Sequence, residues 1–120
     1  MKDIVVGTPM LLGPGISKIV AEPLGVALVL GSWNFPIFTT LGPLVDIIAA
    51  GNCAVIKGSE MTPNTSKVMS LVVQRYLDLS SFIYVEGAVQ VAMALTAKKF
   101  DHIIYTGSSQ KGKLVALAAA

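Results

Sequence analysis

The sequence has little of what marks several common classes of protein. A single cysteine, Cys53, excludes an internal disulfide and any metal cluster built from several cysteines. Charged residues make up 13% of the chain, against roughly 25% in ordinary soluble domains, and no basic run interleaved with aromatics marks a nucleic-acid surface. No stretch reaches the ~18 uninterrupted apolar residues of a membrane span, since Gly31, Pro36, Pro43 and Asp46 interrupt the most apolar region. We therefore expect a soluble protein with no nucleic-acid partner.

Apolar residues are what the chain has in excess. Hydrophobic residues reach 53% and the mean hydropathy is +0.70, which is high for a monomer of 120 residues, a length that allows one domain. The excess indicates a sheet covered on both faces, in a segment that associates either with missing domains of a larger protein or with a second copy in a homo-oligomer such as a dimer. No signal-peptide pattern is seen, which together with the single cysteine favours the cytoplasm.

The order of apolar runs predicts alternating strands and helices. Strands are expected at 24–30, 53–57, 82–85 and 102–106, and helices at 37–50, from 63, at 88–97 and from about 109. This alternation is typical of a Rossmann-like α/β fold, a parallel sheet with helices on both faces, here incomplete. Residues 1–21, rich in glycine and proline, are expected to form an N-terminal arm or connector with at most a short edge strand at 16–20. The chain ends inside a helix without a capping residue, so we expect a truncated segment.

The helix that starts at Pro63 carries two local predictions. Thr62 is expected to cap it, with proline at the first helical position. Its period predicts an apolar stripe opposite a polar face. The stripe is expected to contain Val68, Val72 and Tyr76 with Met69, Val73 and Leu77 beside it, and the opposite polar face Lys67, Ser70 and Gln74.

The stretch 22–36 is the one around which the rest of the chain is organised. Residues 24–30 form an apolar run without a charge, as in a strand buried on both faces, and Gly31 ends it. The proline that follows disfavours helix just before it, so Asn34 is predicted to lie in an elbow at the carboxyl end of the strand, where open α/β sheets bind ligands. The alternative is that Asn34 simply caps the next helix.

Polar residues also follow the second strand. Lys57 and Glu60 place a cation and an anion in the loop 57–60, at the edge of the sheet where a nucleotide would lie. Taken alone, the two residues also fit an ordinary solvated ion pair.

The segment 105–113 joins the fourth strand to the last helix. Gly107 and Gly112 allow a ligand to approach the backbone, and the free amides at the start of the helix suit an anion such as a pyrophosphate. Two lysines in the first turn oppose the helix dipole unless a bound anion offsets them, although surface lysines are the simpler explanation. The segment also matches the P-loop pattern G-x-x-x-x-G-K, but Leu114 stands where that motif needs a hydroxyl for magnesium.

Three single residues complete the candidates. Gly87 follows the third strand and marks a turn. Cys53 lies inside an apolar run and is expected to pack as a small hydrophobe. His102 has no serine or cysteine motif as a catalytic partner and is expected to pack in the core or at a sheet edge. No ligand set for a metal emerges.

These motifs together resemble the aldehyde dehydrogenase superfamily, in particular its class 3 branch. The resemblance is carried by P-L-G-V-x-L-V-x-x-x-W-N-F-P around Asn34, by K-G-S-E at 57–60 against the family's K-P-S-E, and by Y-T-G-S-x-x-x-G-K at 105–113. It implies that Asn34 donates to the oxyanion of a reacting aldehyde, that residues 22–120 are part of an NAD(P)-binding domain, and that the cofactor is NAD or NADP. The implied cofactor-binding residues are Trp33, Lys57, Ser59, Glu60, Gly87, Gly107, Ser108 and Gly112. Glycine at position 58 in place of the family's proline predicts a looser turn and weaker cofactor binding.

The resemblance covers the chain from about residue 8 onward, but it covers only part of the family's catalytic set. The general-base Glu of an E-L-G-G-K string, the nucleophilic Cys and a later ribose-binding Glu have no counterpart here. The resemblance implies that a complete enzyme oxidises an aldehyde substrate to a carboxylic acid, and that these 120 residues alone are inactive. Two alternatives stay open: a non-catalytic nucleotide-binding or interaction fragment, and a P-loop NTPase.

Overall fold

The computed structural model describes residues 3–120, apart from the side chain of residue 12. In chain order the elements are β1 (Ile4–Val6), β2 (Ser17–Ile19), β3 (Val26–Leu30), α1 (Pro36–Ala49), β4 (Cys53–Lys57), α2 (Pro63–Tyr76), β5 (Phe82–Val85), α3 (Val89–Thr96), β6 (His102–Tyr105) and α4 (Ser109–Ala119), with a 3₁₀ turn at Met10–Leu12. The four predicted strands and the helices that follow them are confirmed, with boundaries that differ by at most about two residues.

Strands β3 to β6 form one parallel sheet in the order β5-β4-β3-β6. From β3 the chain moves outward to β4 and β5, and it then returns to place β6 on the other side of β3. In such a doubly wound sheet the direction of winding reverses between β3 and β6, and ligands bind at the carboxyl ends of the strands near this reversal. The predicted Rossmann-like α/β fold is confirmed.

The face of the sheet that is covered by α1 and α2 contains the main hydrophobic core. Because crossovers between parallel strands are right-handed, the connections from β3 to β4 and from β4 to β5 place α1 and α2 on this face. The connection from β5 back to β6 runs in the other direction along the sheet and places α3 on the opposite face. The core combines alternate strand residues with inward side chains of the two helices: Ala27, Val29, Leu44, Ile47, Ala54, Ile56, Met69, Val73 and Tyr84. Helices α3 and α4 contain no buried residue. The two faces of the sheet are therefore packed very differently.

The N-terminal arm contains a β-hairpin that the sequence did not reveal. Strands β1 and β2 pair antiparallel, with Ile4 opposite Ile19, where only one short strand was expected. The hydroxyl of Thr8 accepts a hydrogen bond from the backbone amide of Ser17 at 3.0 Å and so helps to close the hairpin. A strand of three residues is too short to give a detectable alternation of apolar and polar side chains. Residues 1 and 2 of the predicted arm lie outside the described residues, and the division of the chain after residue 21 stays a prediction.

Helix α2 departs from the sequence prediction in two ways. Thr62 holds the N-cap position, but its hydroxyl donates to the carbonyl of Ser59 at 3.3 Å instead of capping the helix. Ser70, predicted on the polar face, is only 6% exposed. Of the predicted apolar residues, Met69 and Val73 are buried, whereas Val68, Val72 and Tyr76 are exposed to solvent. The predicted placement of Ser70 is wrong because α2 packs against the sheet through the side that contains Met69 and Val73, and Ser70 directly follows Met69.

Candidate functional site

The carboxyl ends of the strands open onto one cleft of about 810 Å³. Loops after β3, β4 and β6 form its polar side, and α3 and α4 form its apolar side. Most of the predicted site residues line this cleft: Trp33, Asn34, Lys57, Ser59, Glu60, Gly107 and Ser108. Three loops that are distant in sequence therefore meet at the edge of the sheet that the strand order designates for ligands.

The loop after β3 is fixed by the sheet and by α1. The amide of Gly31 donates to the carbonyl of Lys57 at 3.0 Å, and the amide of Thr106 donates to the carbonyl of Leu30 at 3.0 Å. A Cβ atom at position 31 would collide with the hydroxyl of Thr40 in α1, so only glycine lets the helix pack this closely. The backbone at Gly31, where the elbow begins, is therefore held by both neighbouring strands and by α1.

Asn34 does not cap helix α1. Phe35 holds the N-cap position, and no side chain makes a capping hydrogen bond there. The Oδ1 atom of Asn34 instead accepts a hydrogen bond of 2.7 Å from the hydroxyl of Ser32. Among residues 3–120, the Nδ2 atom of Asn34 makes no hydrogen bond with the protein. The amide N–H groups are therefore available to a ligand in the cleft.

Lys57 and Glu60 form an ion pair at the carboxyl end of β4. The Nζ and Oε2 atoms are 3.2 Å apart, and the side chains are 5% and 46% exposed, respectively. Nζ also donates to the carbonyl of Gly58 at 3.0 Å. The backbone amide of Glu60 and the ammonium of Lys57 hold the pKa of the Glu60 carboxyl below its ordinary value, against the opposing effect of partial burial. The pair therefore offers a carboxylate acceptor and an ammonium donor side by side, a combination that suits vicinal hydroxyls.

Gly58, between these two residues, is closely packed. The hydroxyl of Tyr84 in β5 lies 2.9 Å from the hydroxyl of Ser66 in α2, and burial raises the pKa of the Tyr84 phenol. A Cβ atom at position 58 would collide with this phenol oxygen. Glycine therefore has a packing reason at this position, because Tyr84 fills the space that a larger residue would occupy.

The start of helix α4 forms the third polar part of the cleft. Ser108 is the N-cap residue, and its hydroxyl accepts from the backbone amide of Lys111 at 3.4 Å. A Cβ atom at Gly107 would collide with the hydroxyl of Tyr105, so a larger residue there would require the Tyr105 side chain to shift. Lys111 also lines the cleft, so a cation adds to the positive end of the helix dipole, which favours an anion. Leu114 lines the same cleft, and the P-loop hydroxyl is missing from its position.

Gly87 and Gly112 are not among the residues that line the cleft. Gly87 has φ = +148°, which side chains disfavour, and a Cβ atom there would collide with Val91. A Cβ atom at Gly112 would lie 3.2 Å from the ring of Tyr105. The backbone conformation and the contact with Val91 explain Gly87, whereas the contact at Gly112 is only close, and the contacts of both glycines with a cofactor stay predictions.

The sequence motifs missed the apolar wall of the cleft. Helices α3 and α4 form it with Val89, Ala92, Met93, Leu114, Val115 and Ala118. Val89 and Met93 are 48% and 66% exposed and stand four residues apart, a spacing that places them on one face of α3. That spacing is visible in the sequence, but only the sheet topology shows that this face borders the cleft.

Other candidate chemistry lies away from the cleft. Cys53 is half-buried at the start of β4, and His102 is exposed at the start of β6, so both lie near the amino ends of the strands. No group of three or more His, Cys, Asp and Glu residues within 3–120 is placed to hold a metal ion. In the same part of the chain, no helix is both long and apolar enough to cross a membrane.

A doubly wound sheet with a polar cleft at its switch point defines a broad class of α/β proteins. Within this class the chain belongs to the aldehyde dehydrogenase family, whose family model matches residues 10–120. An aldehyde dehydrogenase of Craterostigma plantagineum is 44% identical over 120 residues, which are 100% of this chain and 25% of the relative. Aldehyde dehydrogenase family 3 member A2 of Rattus norvegicus is 48% identical over 99 residues, which are 82% of this chain and 20% of the relative. The class 3 resemblance is confirmed, and the chain spans about a quarter or less of the length of these relatives.

The fold is also similar to that of solved members of the family. The structure described as the substrate-bound state of Staphylococcus aureus AldH superimposes with a TM-score of 0.92 at 37% sequence identity. The superposition covers 98% of this chain and 26% of that one. The aldehyde dehydrogenase fold therefore extends over nearly the whole chain.

Proposed function

We propose that this chain forms part of the active site of an NAD(P)⁺-dependent aldehyde dehydrogenase, which oxidises an aldehyde to a carboxylic acid. The observation that carries the proposal is that Asn34, Lys57, Glu60 and Gly107 all line one cleft at the switch point of the sheet. Family membership supports the reaction, and the cleft supports the division of roles among these residues.

The cleft fits a dinucleotide cofactor. Lys57 and Glu60 are proposed to bind the hydroxyls of a ribose, which their ion pair in the cleft supports, and the amides at the start of α4 with Lys111 suit a pyrophosphate. The apolar wall between α3 and α4 suits a planar ring. When bound, NAD(P)⁺ supplies the hydride acceptor for the oxidation.

Asn34 is proposed to act on the substrate. Its amide N–H groups have no partner among residues 3–120, and the elbow holds them at the cleft. A preorganised donor of this kind stabilises the negative charge that develops on an aldehyde oxygen during nucleophilic attack. The residue therefore takes the part of an oxyanion donor.

We propose that the 120-residue chain alone has no dehydrogenase turnover. An oxyanion donor without a nucleophile and a base cannot complete the oxidation. Cys53 does not replace the nucleophile, because it starts β4 while the cleft lies at Lys57, about 13 Å further along at ~3.3 Å per residue. Catalysis then requires residues beyond this set.

We also propose a cytoplasmic location. We further propose that the chain associates through its apolar surface, either with further domains or as a homodimer. Large apolar side chains remain more than half exposed on the outer side of α1, among them Ile37, Phe38 and Val45. Exposed apolar area of this kind is typical of surfaces that are covered in an assembly.

The test replaces the matching segment of a full-length family 3 enzyme by residues 22–120. Asn34→Ala is expected to lower turnover by about 10²–10³ with little change in the cofactor dissociation constant, because one preorganised donor is lost. Lys57→Ala is expected to do the reverse and chiefly raise that constant. Turnover and cofactor binding are measured for each variant. A turnover within about twofold of the parent for Asn34→Ala, some 0.4 kcal/mol in the barrier, would remove the oxyanion role.

A further inference from the structure

The amide of Asn34 has a hydrogen-bond partner inside the protein on one side only. Its Oδ1 atom lies 2.7 Å from the hydroxyl of Ser32, a residue that is only 8% exposed. The Nδ2 atom makes no hydrogen bond within residues 3–120, and Asn34 lines the cleft. The buried serine is thus placed to decide which end of the amide faces the cleft.

Ser32 has one hydroxyl proton and two neighbouring acceptors. The hydroxyl of Thr39, 3.2 Å away, already accepts the amide of Ser32 at 2.9 Å and gives its own proton to the carbonyl of Phe35 at 2.9 Å. The 2.7 Å contact with Asn34 has the ordinary length of an O–H···O bond, whereas N–H···O bonds cluster near about 2.9–3.0 Å. The structure accordingly has the hydroxyl of Ser32 donating to the Oδ1 atom of Asn34, so the oxygen of the amide faces the serine.

We propose that Ser32 is a positioning residue, whose hydroxyl fixes the orientation of the Asn34 amide so that the N–H groups point into the cleft. This inference rests on the proposed role of Asn34 as an oxyanion donor. Rotation about the last side-chain bond of asparagine is broad and roughly two-fold. Without Ser32 the amide also turns its oxygen toward the cleft, where it would repel a developing negative charge.

The network explains why this serine is held so firmly. Thr39 lies in the first turn of α1, and its hydroxyl connects the backbone of Ser32 to the carbonyl of Phe35. The packed helix therefore fixes the serine, and the serine fixes the asparagine. A merely structural role for Ser32 would contribute to stability without affecting the order of the Asn34 amide.

The first experiment measures that order in the 120-residue chain itself. The side-chain NH₂ signal of Asn34 is assigned in a ¹⁵N-labelled sample by its loss in Asn34→Asp, and its heteronuclear NOE is compared with that of exposed Asn64. We expect a high NOE for Asn34 in the native chain and a fall to the Asn64 level in Ser32→Ala. An Asn34 NOE that is unchanged in Ser32→Ala would overturn the proposal. If Ser32→Ala does not fold, Ser32→Cys, which is nearly isosteric and a weaker donor, is judged by the same criterion.

A matched control is available in α2. Ser70 is another buried serine, 6% exposed, and its hydroxyl accepts from Gln74 at 3.1 Å, away from the elbow. Ser70→Ala is expected to leave the Asn34 signal as in the native chain. A loss of Asn34 order in Ser70→Ala as well would mean that general loosening, and not the Ser32 hydroxyl, sets the order, which also overturns the proposal.

The second experiment uses the full-length enzyme that carries residues 22–120. Single-turnover formation of NAD(P)H is measured for Ser32→Ala, Asn34→Ala and the double variant. We expect Ser32→Ala to slow the reaction by about 3- to 10-fold, the equilibrium effect of one ordinary hydrogen bond, with the cofactor dissociation constant unchanged. Because the serine acts through the asparagine, it should have no further effect once Asn34 is alanine.

The outcomes separate the two proposals. A slow Asn34→Ala with a normal Ser32→Ala overturns the positioning role and leaves the proposed function standing. A normal rate in Asn34→Ala overturns the oxyanion role, and the NMR measurement then decides alone whether Ser32 orients the amide. Effects of Ser32→Ala and Asn34→Ala that simply multiply in the double variant would also overturn the positioning role.

Discussion

The two faces of the sheet contribute different properties to this molecule. On the face covered by α1 and α2, nine side chains form a closed core, and Val29 and Ile56 within it are fully buried. On the opposite face, α3 and α4 bury no residue, and Met93 and Leu114 beside the cleft are 66% and 58% exposed. The closed face supplies most of the stability, whereas the open face leaves room for a ligand.

The cleft nevertheless depends on the closed face for its geometry. The hydroxyl of Thr39 in α1 accepts the backbone amide of Ser32, and Ser66 in α2 pairs with Tyr84 beneath the loop at Gly58. Binding groups are most precisely placed when rigid elements support them. Helices that pack on one side of the sheet therefore support the loops that line the cleft.

The sharpest test of this comparison removes the same side chain from each face. Leu44 in α1 is 5% exposed and Leu114 in α4 is 58% exposed. Leu44→Ala is expected to lower the free energy of unfolding by about 2–5 kcal/mol because it leaves a cavity. Leu114→Ala is expected to change it by no more than about 0.5 kcal/mol. Urea unfolding measures both, and equal losses would mean that the faces do not differ in stability.

A second test strains the junction between β3 and α1. Gly31→Ala is expected to cost about 1–3 kcal/mol in the free energy of unfolding, because its Cβ atom would collide with the hydroxyl of Thr40. That hydroxyl is buried without a hydrogen-bond partner in the described part of the chain, so adding Thr40→Ala should recover part of the loss. Gly42→Ala is the matched control, since nothing lies within 4 Å of its added Cβ atom. It should stabilise the helix by about 0.5–1 kcal/mol, and a loss as large as that of Gly31→Ala would contradict the assigned contact.

The strands of the sheet and the polar side of the cleft could be predicted from the sequence. The strands could be predicted because they are short apolar runs between turn residues, and their alternation with helices indicated a parallel sheet. Because parallel strands end at one edge, it also followed that Asn34, Lys57 and Gly107 would lie near one another. The sheet topology was therefore enough to predict which polar residues lie together in the candidate site.

What the sequence did not predict depends on side-chain contacts between distant elements. Ser32 and Tyr84 belong to no recognisable motif, and their importance comes from partners in α1 and α2. In α2 the sequence indicated two adjacent apolar stripes, and only the packing shows that Met69 is buried while Val68 is exposed. Periodicity shows that a helix has apolar faces, but it cannot choose between two of them.

A third prediction concerns Gly58, in the loop between β4 and α2. Gly58→Ala is expected to cost about 1–2 kcal/mol in the free energy of unfolding, because its methyl group displaces the phenol of Tyr84 from the hydroxyl of Ser66. In a Tyr84→Phe background the same substitution should cost less, since the colliding oxygen is absent. The four proteins of this double-mutant cycle are compared by urea unfolding. Strictly additive losses would show that Gly58 and Tyr84 do not constrain each other.

The smallest expected effect lies at the edge of the open face, where Glu60 pairs with Lys57. The pKa of Glu60 is lower in the folded chain than its ordinary value of 4.5, first through its own backbone amide and then through Lys57. A lowered folded-state pKa contributes stability that is present above the ordinary pKa and is lost as the pH falls through the folded one. The melting temperature of the native chain should therefore exceed that of Glu60→Gln by a constant, small margin between pH 7 and 5, and the margin should shrink toward pH 3.

The side chain of Glu60 is 46% exposed, so solvent and salt screen the pair and the margin corresponds to less than about 1 kcal/mol. Melting curves of both proteins at low and high salt check this. The part of the margin that comes from Lys57 should fall in 1 M salt, whereas the part from the backbone amide should remain. A margin that grew as the pH fell would mean that the folded state prefers the protonated carboxyl. Glu60 would then be a neutral donor, and its proposed role as an ionised acceptor for a ribose would be wrong.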